Sequence, residues 1–168
     1  MTFQYPRVNK TKTIEVLQDL IRINNERTTG YQKAIYLTEH LDLTIRDIFE
    51  VSISDGKKYS NQLLQRFKQI DSPAKNYFYV PGKIYSAWND LKVEFAYTNQ
   101  RAIISSFLYN EEIALYAYKA SISKEAGIDD EVIQLLEEQS DGLKENYEQL
   151  KSYRKRINNL SASLMHLV

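Results

Sequence analysis

Residues 71–99 read DSPAKNYFYVPGKIYSAWNDLKVEFAYTN. The stretch lies between two long helical patterns, and its reading decides how they are joined. Asp71-Ser72-Pro73 ends the pattern before it, because proline drives the preceding residue out of the helical region. Pro81-Gly82 closes the first half, and KIYSAWNDLKVEFAY then predicts a short helix ending near Thr98. A connection of about 28 residues can run the length of a helical bundle. The long helices on either side of it can therefore lie parallel, where a tight turn would force them antiparallel.

The flanking patterns are helical hairpins. Ile14, Ile21, Thr28 and Ile35 recur every seven residues, with Leu17, Asn24, Tyr31 and Thr38 between them. This spacing predicts a helix over 11–39 with both series on its packed stripe. His40-Leu41-Asp42 interrupts it, and Asp42 is placed to cap a second helix running to Ile70. That helix carries Ile45, Ser52 and Tyr59 against Phe49, Gly56, Leu63 and Ile70. Beyond the crossover, Asn99 caps a helix over 100–124 with Ile104, Phe107, Glu111, Ala114, Tyr118 and Ser121 on its stripe. Gly127 reads as its C-terminal cap and Asp129 as the N-cap of the last helix. There Val132, Gln139, Asn146 and Tyr153 face Leu136, Leu143, Leu150 and Ile157. Two hairpins and one crossover predict an all-α chain: a ferritin-like four-helix bundle with a long crossover containing a short helix. The bundle is expected over 11–158, between tails at 1–10 and 159–168. The second tail, NLSASLMHLV, is apolar enough to dock on a neighbouring subunit or to extend the last helix.

Composition narrows the function. The chain has 168 residues, enough for one domain with a substantial core. Lys+Arg and Asp+Glu both number 22, and this balance argues against a protein built to hold nucleic acid or acidic membranes. The basic run KSYRKR at 151–156 complements a helix C-terminus and reads as solvated. There is no cysteine, which removes disulfides, thiolate metal sites and cysteine nucleophiles. The start, MTFQYPRVNKTK, lacks the apolar centre of a secretory signal, and no stretch approaches the ~20 apolar residues of a membrane span. A soluble cytoplasmic protein is expected. No phosphate-cradling glycine loop is present, and two histidines offer no credible Ser-His-Asp order.

The packed stripes contain polar residues at mid-helix: Asn24, Thr28, Ser52, Glu111, Gln139 and Asn146, with Asp55 beside them. Within FLYNEEIALYAY (107–118), Glu111 turns inward and Glu112 is rotated about 100° away. Ferritin-like bundles hold paired metals at such a layer, using a Glu from each of two helices and Glu-x-x-His from the others. No Glu-x-x-His occurs here, and His40 and His166 lie outside the helix centres. The usual six-ligand site is therefore not expected, and neither is a cofactor. Iron or manganese on a degenerate set, with Glu111 and Asp55 as best candidates, is the alternative. The leading reading is structural: single polar residues on a packed stripe set register and partner choice. A buried Glu111 then needs hydrogen bonds or a proton, and the Asn and Gln amides are the expected donors. The 13 tyrosines read as amphipathic core fillers. A packed strap sealing the flank is the first reading of the crossover aromatics, and an exposed interface of Tyr77, Phe78, Tyr79 and Trp88 is the alternative.

Short stretches in order carry a family resemblance. They are Asn25-Glu26-Arg27-Thr28-Thr29-Gly30-Tyr31 with Lys33-Ala34, then Ala87-Trp88-Asn89-Asp90-Leu91-Lys92, then Asn110-Glu111-Glu112 with Ala117-Tyr118, and Glu131-Val132 with Leu135-Leu136-Glu137. Over roughly residues 12–156 the chain resembles an uncharacterised bacterial family of ferritin-like four-helix proteins, a domain of unknown function. Thr29 stands where members often carry an acid and Tyr147 where others carry His; Glu111 is the acidic position that matches. The resemblance implies the same fold and brings no established activity with it. The expected function is a non-enzymatic helical bundle, a homo-oligomer with a structural, self-association or stress-related role. A metal-binding oxidoreductase or storage protein around Glu111 is the alternative.

Overall fold

A computed structural model describes residues 9–38, 41–70, 79–123 and 127–167, and every regular element among them is helical. The order is α1 (Lys10–Leu37), α2 (Leu43–Ile70), α3 (Lys83–Leu91), α4 (Gln100–Ile122) and α5 (Asp130–Met165). Helix starts follow the capping residues. Asn9 accepts from the Lys12 amide at 3.2 Å, Asp42 from Thr44 at 2.8 Å, Asn99 from Ala102 at 2.9 Å and Asp129 from Glu131 at 3.0 Å. Gly127 does not cap α4. That helix ends at Ser123, and Gly127, at φ 66°, instead turns its carbonyl to the Asn9 amide at 2.8 Å. The expected stop at Asp71-Ser72-Pro73 and the turn residue His40 lie outside the described residues.

The four long helices pack in a ring in which α1 touches α2 and α4, and α5 touches the same two. Their directions follow from side-chain pairs. Asn24 meets Tyr118 while Arg27 meets Glu111, so α1 and α4 run oppositely. Tyr31 against Phe49 and Asn25 against Ser60 make α1 and α2 antiparallel. Asp55 with Asn146 and Gln62 with Gln139 do the same for α2 and α5. Every adjacent pair is antiparallel, which leaves α2 and α4 parallel across a diagonal.

Two apolar clusters fill the ring, one around Leu17, Leu20, Leu63, Val132 and Leu136, the other around Tyr31, Phe49, Ile104, Phe107 and Leu150. The stripes expected on α2, α4 and α5 are buried from Ile45 to Leu63, from Ile104 to Ser121 and from Val132 to Tyr153. The stripe on α1 is wider and rotated. Ile14, Ile21 and Ile35 are only half-buried, whereas Leu20, Arg27 and Ala34 are buried. The cause is the crossover: α1 is covered by α2, α4 and α3 together, so three flanks need burial. Gly56 lies directly against the Thr28 hydroxyl, and Gly142 against the Tyr59 hydroxyl, so these glycines serve close approach rather than leaving a void.

The crossover is strapped to α1 by buried acid. The helix α3 has no capping side chain of its own at Gly82; Asp19 of α1 supplies it from outside. Its carboxylate accepts from the amides of Gly82 and Tyr85 and from the Tyr79 hydroxyl, each at 2.9 Å. Negative charge at a helix N-terminus is favourable, and three donors compensate its burial. Farther along, the Asn110 side chain exchanges two 2.9 Å hydrogen bonds with the Val93 backbone. Trp88 is buried, as a packed strap requires, and is not part of an exposed interface. Tyr79 is likewise tied inward to Asp19, while Tyr77 and Phe78 lie outside the described residues. At the other end, α5 continues past 158 to Met165. Among the described residues no helix is long and apolar enough to cross a membrane.

Replacing Asp19 by Ala orphans two backbone donors and is expected to lower unfolding free energy by about 3 kcal/mol. Urea denaturation followed by the fluorescence of the sole tryptophan, Trp88 in the strap, measures it. A loss under about 1 kcal/mol would mean that the strap is held elsewhere.

Candidate functional site: a polar layer under the crossover

The six polar residues expected on the stripes are all buried. What organises them is a residue outside that set. Arg27, 3% exposed, projects from α1 and grips Glu111 at two points, Nε to Oε1 at 2.8 Å and Nη2 to Oε2 at 2.5 Å. Its Nη1 donates to the Asn24 side-chain oxygen at 2.8 Å. Asn24 in turn donates to the Leu20 carbonyl at 2.9 Å and to the Tyr118 hydroxyl at 2.7 Å. Tyr118 donates to Gln139 at 2.8 Å, and Gln139 reaches Gln62 on α2 at 3.0 Å. The network thus touches all four long helices. The donor to Glu111 is a guanidinium, not the amides expected from the sequence. Arg27 sits in the polar run Asn25-Glu26-Arg27-Thr28-Thr29, which reads as a solvated face. The available signal was its heptad, Leu20-Arg27-Ala34.

The rest of the layer is divided. Asp55 accepts from Asn146 at 3.0 Å across α2 and α5, away from the Arg27–Glu111 pair on α1 and α4. Ser52 bonds back to the Ile48 carbonyl at 3.0 Å, and the buried Thr28 hydroxyl has no partner among the described residues. No three His, Cys, Asp or Glu side chains gather as a metal cluster among the described residues.

Electrostatics follow the burial. Taking Arg27 out of water by itself lowers its pKa, but the charge and hydrogen bonds of Glu111 outweigh that and hold it above the ordinary guanidinium value. Burial, and then the Glu111 charge, push the Tyr31 phenol well up. Burial raises Tyr118 as well, and raises Tyr59 to about 12 with help from Asp55. These phenols are donors and fillers at neutral pH, not tyrosinates.

A cavity of about 450 Å³ opens beside this layer, between α1, the strap and α4. Arg27 and Glu111 line it together with Tyr31, Trp88, Phe95 and Phe107. Phe107 is stacked between Tyr31 and Phe95, with ring centroids 4.4 and 4.2 Å away. Phe95 can lie there because Gly30 presents no side chain in its place. At the strap, Lys92 reaches Glu26 at 2.5 Å and the Tyr85 hydroxyl reaches the same carboxylate at 2.6 Å. Neither a family model nor a curated protein matches this chain.

Glu111→Gln leaves a buried guanidinium uncompensated and is expected to cost about 3–5 kcal/mol. The apolar double replacement Arg27→Met with Glu111→Leu is expected to match or exceed the wild type. Thermal and urea unfolding of the three proteins checks both, and a stabilised Glu111→Gln would mean that the pair is not an ion pair. Alkali is the second test. Unfolded tyrosines ionise near 10, so the stability conferred by the neutral buried phenols is whole below that pH. It is lost as pH rises through the folded value, about 12 for Tyr59. Tyrosinate absorbance should therefore appear in two phases, the later one coincident with the loss of helix.

Proposed function

We propose that this chain is a ferritin-like bundle that works without a metal centre, as a self-associating structural protein. The observation that carries the reading is the Arg27–Glu111 pair. A carboxylate held at both oxygens by a buried guanidinium already has its counter-charge, and a metal would have to displace Arg27. Asp55, the other candidate ligand, belongs to a separate pair. The parallel α2 and α4, joined through a crossover, support the ferritin-like connectivity. They also support the resemblance to the uncharacterised bacterial family.

Self-association is supported by α5. Its packed stripe, Leu143, Asn146, Leu150, Tyr153, continues at the same spacing through Ile157, Leu160, Leu164 and Leu167. Exposure rises from 1% at Leu150 to 66%, 65% and 83% at the last three leucines. Tyr36, Leu37 and Leu43 are exposed at the same end of the bundle. A heptad stripe that outruns its own bundle is suited to a second helix of the same kind. The role in stress or architecture rests on fold analogy.

One preparation tests both halves. Protein expressed with iron and manganese supplied is expected to carry no stoichiometric metal by mass spectrometry. In sedimentation its mass is expected to exceed that of the monomer, and Leu160→Glu with Leu164→Glu should reduce it to one chain. Stoichiometric metal that is lost in Glu111→Gln would replace this reading with the metal-binding one.

A further inference from the structure

Tyr153 is the last buried residue of α5, yet the helix continues to Met165, about 18 Å farther. Up to Tyr153 the apolar stripe is covered by the chain's own bundle. A copy that covers the tip must therefore lie beyond that end, because one running back alongside would collide with α1, α2 and α4. A second copy presents a fitting surface there. Between its α4 and α5 lies a groove of about 380 Å³, with Leu115, Tyr116, Ile122 and Tyr147 in its lining. Tyr116 is 57% exposed, and the other three are half-buried. The stretch from Ile122 to Leu115 spans two helical turns, about 10 Å, and so does the run from Leu160 to Leu167 on the tip.

Charge agrees with this placement. Tyr118 meets Gln139 across the antiparallel α4 and α5, so Ile122 is level with Leu135. One turn below Leu135, at the start of α5, stand the exposed Asp130 and Glu131; Glu131 touches Arg66 but keeps 76% of its side chain exposed. On the tip, Arg156 stands one turn before Leu160 and on the same face. It is exposed and belongs to none of the ion pairs among the described residues. More than two turns from Met165, it also lies beyond the reach of the helix dipole. A copy stacked in the same direction with Leu160 at Ile122 brings Leu167 to Leu115 and Arg156 to Asp130 and Glu131. We infer that copies of this chain stack head to tail, the α5 tip of each seated in the α4–α5 groove of the next. This rests on the self-association proposed above and names its two surfaces. Because tip and groove differ, the contact does not close on a pair and repeats along an open chain.

Sedimentation of the full chain over a range of concentrations tests it, with circular dichroism to show that each variant is folded. The wild-type mass is expected to grow past the dimer. Tyr116→Glu blocks the groove, and Leu160→Glu with Leu164→Glu blocks the tip, so each protein alone is expected to be monomeric. Mixed, they retain one intact tip and one intact groove and are expected to form a one-to-one pair and nothing larger. Arg156→Glu, on an exposed position that the fold does not need, should weaken association about tenfold, the loss of one charge-assisted contact. A mass that stops at the dimer, with Tyr116→Glu associating as the wild type does, overturns the inference and leaves self-association standing, with tip against tip. Undiminished association of Arg156→Glu also overturns it. A wild type that stays monomeric overturns both readings, and its co-sedimentation with phosphatidylserine vesicles would assign the tip to a lipid surface instead.

Discussion

A guanidinium and a carboxylate, both withdrawn from water, sit near the middle of the bundle, and much else is arranged around them. Each would be costly to bury alone. Together, with two short hydrogen bonds between them and a third from Arg27 to Asn24, they are tolerable in one geometry only. That geometry fixes α1 against α4 both along the axis and in rotation. The apolar clusters above and below could slide by a turn at moderate cost, because hydrophobic contact is non-directional. The ion pair could not, since a shift of one turn would leave a buried charge without its partner. Asn24, Tyr118, Gln139 and Gln62 extend the same constraint to α5 and α2.

The crossover repeats this logic at the flank. Asp19 is buried, which is costly for a carboxylate, and it is tolerated because α3 presents unsatisfied amides to it. The acid caps the helix and the helix solvates the acid. The strap so anchored packs Trp88 into the core and, through the Asn110–Val93 pair, closes one wall of the cavity. The polar layer and the cavity are therefore one construction: the Arg27–Glu111 pair that sets register is also part of the cavity lining.

Much of the fold was legible because it depends on local rules. The caps at Asp42, Asn99 and Asp129 need only a short polar side chain ahead of a helical pattern. The stripes on α2, α4 and α5 were legible because each of these helices buries one face, and a heptad repeat describes one face. On α1 the repeat was half right: Leu17, Asn24 and Tyr31 are buried, but Ile14, Ile21 and Ile35 lie at the edge. A helix covered on three sides has no single stripe. The layer residues Asn24, Ser52, Glu111, Gln139 and Asn146 were found because a polar residue breaking an apolar repeat stands out. Arg27 was not, because a charge among polar neighbours looks solvated. For Trp88 both a packed strap and an exposed interface stayed open, since an aromatic cluster in a connection does not say which faces turn inward.

By itself the sequence determined the helical elements, their starts, and the depth at which polar residues enter the core, since capping and periodicity act within a few residues along one chain. Only the tertiary structure decided which charge answers Glu111, what caps α3, and that the strap and bundle enclose a cavity. Arg27 and Glu111 are 84 residues apart, and Asp19 and Tyr85 are 66 apart. The need of a buried charge for a partner can be read locally, but the partner's identity is set by how distant helices rotate and pack. That rotation is a property of all the helices together and is written in no single one of them.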